Sequence, residues 1–134
     1  EDYEIGRILG KGGFGKVKVA KHKKTGKYVA LKLRTKDKFQ GTTNRPLYNE
    51  NFVHSQISHP FIVNFEGLAQ DSKYLYLVLE LINGGELFTY LRSVESFTTD
   101  QARFYASIVT SCFDYLHNKN IIFRDLDRKS TRLN

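Results

Sequence analysis

Cysteine occurs once in the 134 residues, methionine not at all, and acidic residues almost vanish from one long stretch. A lone Cys112 cannot staple a secreted scaffold with disulfides, and it fits a reducing, cytoplasmic setting. Within a helix it reads as a small buried apolar residue. Without a methionine, the chain reads as one that lost its start or was cut from something longer. No apolar run approaches the roughly 18 residues of a membrane-crossing helix, so no membrane span is expected. The first 30 residues hold no apolar core followed by a cleavage site, so no secretory signal is read. Between Arg7 and Lys38 there are twelve Lys or Arg against one acid, Asp37, within a net charge of +7. Such a balance admits nucleic acid as a partner. Yet most of these cations alternate with apolar residues, as on the wet face of a sheet, and no aromatics interleave for base stacking. A solvated face is expected there, and no nucleic-acid partner.

What is present is the composition of an ordinary soluble domain, 40% hydrophobic and 26% charged. The first 40 residues read as strands: Ile5, Ile8 and Leu9 run into a glycine cluster, and Val17 and Val19 then alternate with Lys16 and Lys18. Lys24-Thr25-Gly26-Lys27 is a turn, and the chain returns as a strand over 28–33 with Ala30 and Lys32 on one face. Residues 41–45 read as a loop, Pro46 suits a first helical turn, and Leu47, Glu50, His54 and Ile57 recur at helical spacing until His59-Pro60. Two further strands are expected over 61–65 and 74–81, a turn at Asn83-Gly84-Gly85, and a short helix over 86–92. Thr98 and Gln101 have the capping-box spacing, so the best helix starts there, with Tyr105, Val109, Cys112 and Leu116 on its apolar face. It closes at 118–120, and Ile121-Ile122-Phe123 reads as a short buried stretch before Arg124-Asp125-Leu126.

The glycine cluster, Gly10-Lys11-Gly12-Gly13-Phe14-Gly15-Lys16-Val17, lets backbone N–H groups approach phosphate oxygens. A dinucleotide fold would start a helix at these glycines. Here an alternating strand follows, which makes a strand–loop–strand flap. Taken alone, the cluster could also be a hairpin that binds nothing. Lys32 on the returning strand could likewise be a snorkelling surface lysine, and Glu50 an exposed helix acid.

In combination, Gly-x-Gly-x-x-Gly-x-Val, Val29-Ala30-Leu31-Lys32, the helix Glu50 and Arg124-Asp125-Leu126 stand in the order and at the distances of eukaryotic protein kinases, which the chain resembles over residues 2–126. His59-Pro60-Phe61-Ile62-Val63, Gly84-Gly85-Glu86-Leu87-Phe88, Ala102-Arg103-Phe104-Tyr105-Ala106 and Asp114-Tyr115-Leu116-His117 resemble the AGC group, closest to the cyclic-AMP- and cyclic-GMP-dependent enzymes. So does Phe123 ahead of Arg124. The resemblance implies an α+β kinase fold: an antiparallel small lobe with one main helix (1–78), a hinge (79–85) and the first helices of a large lobe (86–126). It implies Ser/Thr phosphorylation with ATP and Mg2+. Leu9, Val17 and Ala30 would sandwich adenine, and Glu80 and Ile82 would bond its edge through the backbone, with Leu79 as gatekeeper. Glu86 would accept from the ribose and from a basic residue of a protein substrate. Gly10 to Lys16, with Lys11 and Phe14 at the flap, would close over the phosphates. Lys32 would bind the inner phosphates, oriented by Glu50, and Asp125 would position the attacking hydroxyl.

Two departures matter. His54 stands where the family packs an apolar side chain; it reads as a core histidine, or else as a weaker link between helix and sheet. After Leu126 the family continues to a magnesium-binding Asn and to Asp-Phe-Gly, whereas this chain reads Asp127-Arg128-Lys129-Ser130-Thr131-Arg132-Leu133-Asn134. Reverse-translated, that octapeptide resembles a sequencing adapter, so residues 127–134 are expected to be non-native, with a natural variant that has a basic C-terminus as the alternative. No metal ligand is therefore assigned, and the 134 residues alone are expected not to transfer phosphate, with Tyr105, Val109, Cys112 and Leu116 short of part of their burial. A non-catalytic nucleotide-binding module and a basic nucleic-acid binder are the alternatives.

Overall fold

The computed structural model describes residues 2–12, 15–36, 52–123 and 126. The chain divides into two compact units, Glu1–Ser58 with Val63–Leu81, and His59–Ile62 with Ile82–Asn134.

The first unit is an antiparallel sheet of five strands: β1 (Tyr3–Gly12), β2 (Gly15–His22), β3 (Tyr28–Thr35), β4 (Phe65–Gln70) and β5 (Tyr74–Glu80), in the order β1-β2-β3-β5-β4. The expected turn between β2 and β3 closes as a tight loop, with the Gly26 N–H donating to the His22 carbonyl and the His22 N–H to the Lys27 carbonyl, each at 2.8 Å. Gly26 sits at φ +73, where a side chain is strained. Strand β3 lies mid-sheet with Val29, Ala30, Leu31 and Leu33 all buried.

Register divides those faces. Ala20, Val29, Leu31, Leu33 and Val78 form the core on one side, with Tyr3, Tyr74 and Tyr76 packed against it. The opposite side carries Val17, Val19, Ala30, Lys32, Leu77 and Leu79, cross-strand partners of one another. The cations expected on a solvated face divide between the two faces of the sheet. Lys16 and Lys18 pair with Leu33 and Leu31 on the core side, while Lys21, Lys32 and Arg34 fall on the other. Alternation with apolar residues fixes only the period, and both faces of this sheet bury carbon.

The strand expected over 61–65 is displaced. Residues 60–62 turn, with the Ile62 N–H donating to the His59 carbonyl at 3.1 Å and the Phe61 N–H to the His59 ring at 3.2 Å. Strand β4 then starts at Phe65 and is bulged between Phe65 and Gly67.

At the β4–β5 turn the Asp71 carboxylate accepts from the Lys73 and Tyr74 N–H groups and from the Tyr76 hydroxyl, at 2.8, 2.6 and 2.6 Å. Lys36 Nζ donates to the Asp71 carbonyl at 2.6 Å and to Gln70 at 2.9 Å. The Tyr76 hydroxyl bond and the two N–H groups hold Asp71 below the usual carboxylate range. Burial, then the bond to Asp71, pushes Tyr76 up to about 12. A folded-state pKa above the ordinary 10.0 means that this contribution is whole below pH 10 and lost between pH 10 and about 12. Thermal unfolding followed across that window should therefore fall more steeply for the native chain than for Tyr76→Phe. Equal slopes would refute the assignment.

The second unit holds α1 (Leu87–Val94) and α2 (Thr99–Asn118). The expected capping box is present: Thr98 accepts from the Gln101 N–H at 3.2 Å, and Gln101 accepts from the Thr98 N–H at 3.0 Å. Leu116 is buried and Tyr105, Val109 and Cys112 half-buried. The reading of residues 121–123 as buried is corrected, since Ile122 is 73% and Phe123 45% exposed. Apolar character alone does not bury a segment; it needs a facing element.

His59–Ile62 joins this unit through side chains. The His59 ring lies 5.0 Å from the Tyr115 ring, and its Nδ1 is 3.8 Å from the Cys112 sulfur. The Cys112 thiol donates to the Phe61 carbonyl at 3.7 Å.

Candidate functional site

The glycine cluster joins β1 to β2, with Gly12 opposite Gly15, Lys11 opposite Lys16 and Gly10 opposite Val17. The two described glycines at its ends have different reasons to be glycine. Gly15 lies at φ +124, and a Cβ there would collide with the Leu33 carbonyl oxygen. It is required for β2 to start close against β3. A Cβ on Gly10 would meet nothing within 4 Å, and no positive φ holds it. Its lack of a side chain is unexplained by the fold.

On the face below that flap, register brings Gly10, Val17 and Lys32 into one cross-strand row, continued by Leu77. The next row holds Val19, Ala30 and Leu79. Lys32 is half-buried at the centre of the sheet. Leu9 is half-buried in the irregular stretch of β1 between Ile8 and Gly10, so it has no register partner. At the end of β5 the Glu80 N–H donates to the Asn64 carbonyl at 3.0 Å, so a new ligand would have to use the Glu80 carbonyl.

Within the second unit, Ile82 and Glu86 are half-buried. Glu86 stands at the N-terminus of α1 with extended backbone, and its carbonyl accepts from the Thr89 and Tyr90 N–H groups at 3.0 and 3.2 Å. Its carboxylate makes no capping bond. Burial pushes the Cys112 thiol up, which disfavours the reactive thiolate.

Gly13, Phe14, Glu50 and Asp125 lie outside the described residues, as do the expected loop at 41–45 and the helix start at Pro46. Sequence reading missed Asn64. Its N–H and its side-chain amide both donate to Glu80 Oε2, each at 3.2 Å, and nothing in the residue pattern signals this. His54, expected in the core, is half-buried with its ring 5.8 Å from that of Phe65. Its Nε2 lies 2.8 Å from the Val63 carbonyl oxygen, a hydrogen bond rather than a loosened contact. Among the described residues, no cluster of three His, Cys, Asp or Glu could hold a metal ion, and no helix is long and apolar enough to cross a membrane.

A family model described as protein kinase domain matches residues 3–130. The chain is 40% identical over 126 residues to a cAMP-dependent protein kinase, catalytic subunit-like, of Caenorhabditis elegans, covering 93% of this chain and 32% of that protein. It is 39% identical over 127 residues to serine/threonine-protein kinase Sgk1-B of Xenopus laevis, covering 93% and 29%. Against cAMP-dependent protein kinase catalytic subunit 3 of Drosophila melanogaster it is 34% identical over 135 residues, covering 100% and 23%. The chain thus spans at most about a third of the length of these relatives.

Proposed function

The chain belongs to the protein kinase domain family, and on that premise we propose that it carries the ATP-binding part of a Ser/Thr protein kinase that passes the γ-phosphate of ATP to protein Ser or Thr. The observation that supports this reading is the row Gly10, Val17, Lys32 with Ala30 and Leu79 beside it: a side-chain-free strand end, small apolar surface and one ammonium on a single face. Ala30 and Val17, with Leu9, give adenine a flat apolar seat. The Glu80 carbonyl and Ile82 N–H take its edge, Leu79 limits the depth, and Glu86 accepts from the ribose.

Phosphoryl transfer needs positioning and charge stabilisation more than covalent help from the protein. Lys32 holds the inner phosphates, Glu50 orients it, and the flap from Gly10 to Lys16 excludes water. Asp125 positions the Ser or Thr hydroxyl and receives its proton. Magnesium, in the family's chemistry, neutralises phosphate charge. No ligand for it is assigned among residues 1–134, and no step here is routed through it. Glu86 also suits a substrate with basic residues near the target hydroxyl, and Cys112 as a free thiol suits the cytoplasm.

The domain reading that follows is a small lobe over 1–78, a hinge over 79–85 and the start of a large lobe over 86–126, with 127–134 foreign to it. The 134 residues are proposed to bind nucleotide without transferring phosphate. Titration of a fluorescent ATP analogue should saturate with the native chain and weaken by about tenfold or more in Lys32→Ala, the loss of one charge-assisted phosphate contact. Equal affinities would remove Lys32 from the site. Phosphate incorporation above that of Lys32→Ala would overturn the claim of inactivity.

A further inference from the structure

One peptide group, that between Val63 and Asn64, is bonded at both polar ends by ionisable side chains. Its carbonyl takes the 2.8 Å bond from His54, and because a carbonyl only accepts, Nε2 carries the hydrogen. Its N–H donates to Glu80 Oε2 at 3.2 Å. Asn64 adds its side-chain amide to the same oxygen at 3.2 Å, and the Glu80 N–H returns to the Asn64 carbonyl at 3.0 Å. Every donor along the line from imidazole to carboxylate points the same way, so each bond polarises the next. A leucine at 54 would still pack on Phe65, but would leave the half-buried Val63 carbonyl without its donor.

We infer that His54 is a positioning residue for Glu80, acting through the Val63–Asn64 peptide. It fixes the end of β5, whose carbonyl faces the adenine edge of a bound nucleotide, to the helical turn at 52–55, where His54 lies four residues beyond Glu50 in the sequence. The adenine part of this statement rests on the proposed function; the coupling itself does not.

The decisive signatures are spectroscopic. In the native 1–134 chain, a scalar coupling across the hydrogen bond between His54 Nε2 and the Val63 carbonyl carbon is expected, and its absence overturns the proposal without any variant. The Asn64 amide nitrogen should move upfield in His54→Leu and return in His54→Gln, whose side-chain amide restores a donor. An Asn64 signal indifferent to His54→Leu, or one not restored by glutamine, also overturns it. Urea unfolding and ATP-analogue titration of His54→Leu, Glu80→Ala and the double variant should be non-additive. Where each single change loosens the nucleotide about threefold, the pair should loosen it by about threefold to fivefold rather than about ninefold. Additive unfolding effects overturn the coupling. Loss of nucleotide binding in the native chain, with the signatures intact, overturns the proposed function instead.

Discussion

Gly15→Ala should destabilise the sheet by about 3 kcal/mol or more, while Gly10→Ala should leave stability within about 0.5 kcal/mol of the native chain. Two penalties add at Gly15. The backbone sits at φ +124, which costs an L-residue about 1–3 kcal/mol. The new methyl group would also overlap the Leu33 carbonyl, which can retreat only by parting β3 from β2 and pressing it toward β5. At Gly10 neither penalty exists, so a methyl group there matters only if something must approach the strand. Under the proposed function that something is nucleotide, and Gly10→Ala should weaken ATP-analogue binding while its urea midpoint stays in place. A Gly15→Ala chain with native stability would show that β2 does not start against β3 as described. Native nucleotide affinity in Gly10→Ala would move the ligand away from the β1 end.

The neighbours Ala30 and Leu31 should separate stability from binding just as sharply. Leu31, 2% exposed, lies between Lys18 and Val78 in the core. Leu31→Ala should cost about 3 kcal/mol, through lost transfer energy and the cavity left behind, read as a lower urea midpoint at unchanged slope. Ala30 points the other way, between Val19 and Leu79. Ala30→Leu would place three extra carbons where adenine is proposed to lie, and should reduce ATP-analogue affinity by about 30-fold or more, since overpacking of even one contact costs about 1–3 kcal/mol. The reverse pattern, a stability loss at residue 30 and a binding loss at residue 31, would invert the assignment of the two faces.

How legible these features were depends on the distance over which each is determined. The capping box at Thr98 and Gln101 and the turn at Gly26 are local chemistry, and they appear where the residues put them. Strand β2 sets Val17 and Val19 at period two, β3 Val29, Leu31 and Leu33, and β5 Tyr74, Tyr76 and Val78, and they were readable for the same reason. Strand β4 was placed too early because its inward positions are Gly67 and Ala69, too small to give an apolar signal, while Phe61-Ile62-Val63 gave one and turned. The division of cations between faces needed the register of β2 against β3, which no single strand contains. Asn64 and Glu80 are 16 residues apart, and two polar residues at such a separation announce nothing until the sheet pairs them. Kinase motifs named the residues of the row under the flap, but the reason Gly15 differs from Gly10 lies in a contact with Leu33.

The attachment of His59–Ile62 to α2 has a consequence for dissecting the chain. The polypeptide passes from one unit to the other at 58/59, at 62/63 and at 81/82. No single cleavage therefore yields the sheet as a self-sufficient piece. A polypeptide ending at Leu81 would retain His59 and Phe61 while discarding the Tyr115 ring and the Cys112 thiol they rest against. Those four residues behave as a borrowed loop: sewn into the sheet's sequence, but held by contacts with the helix.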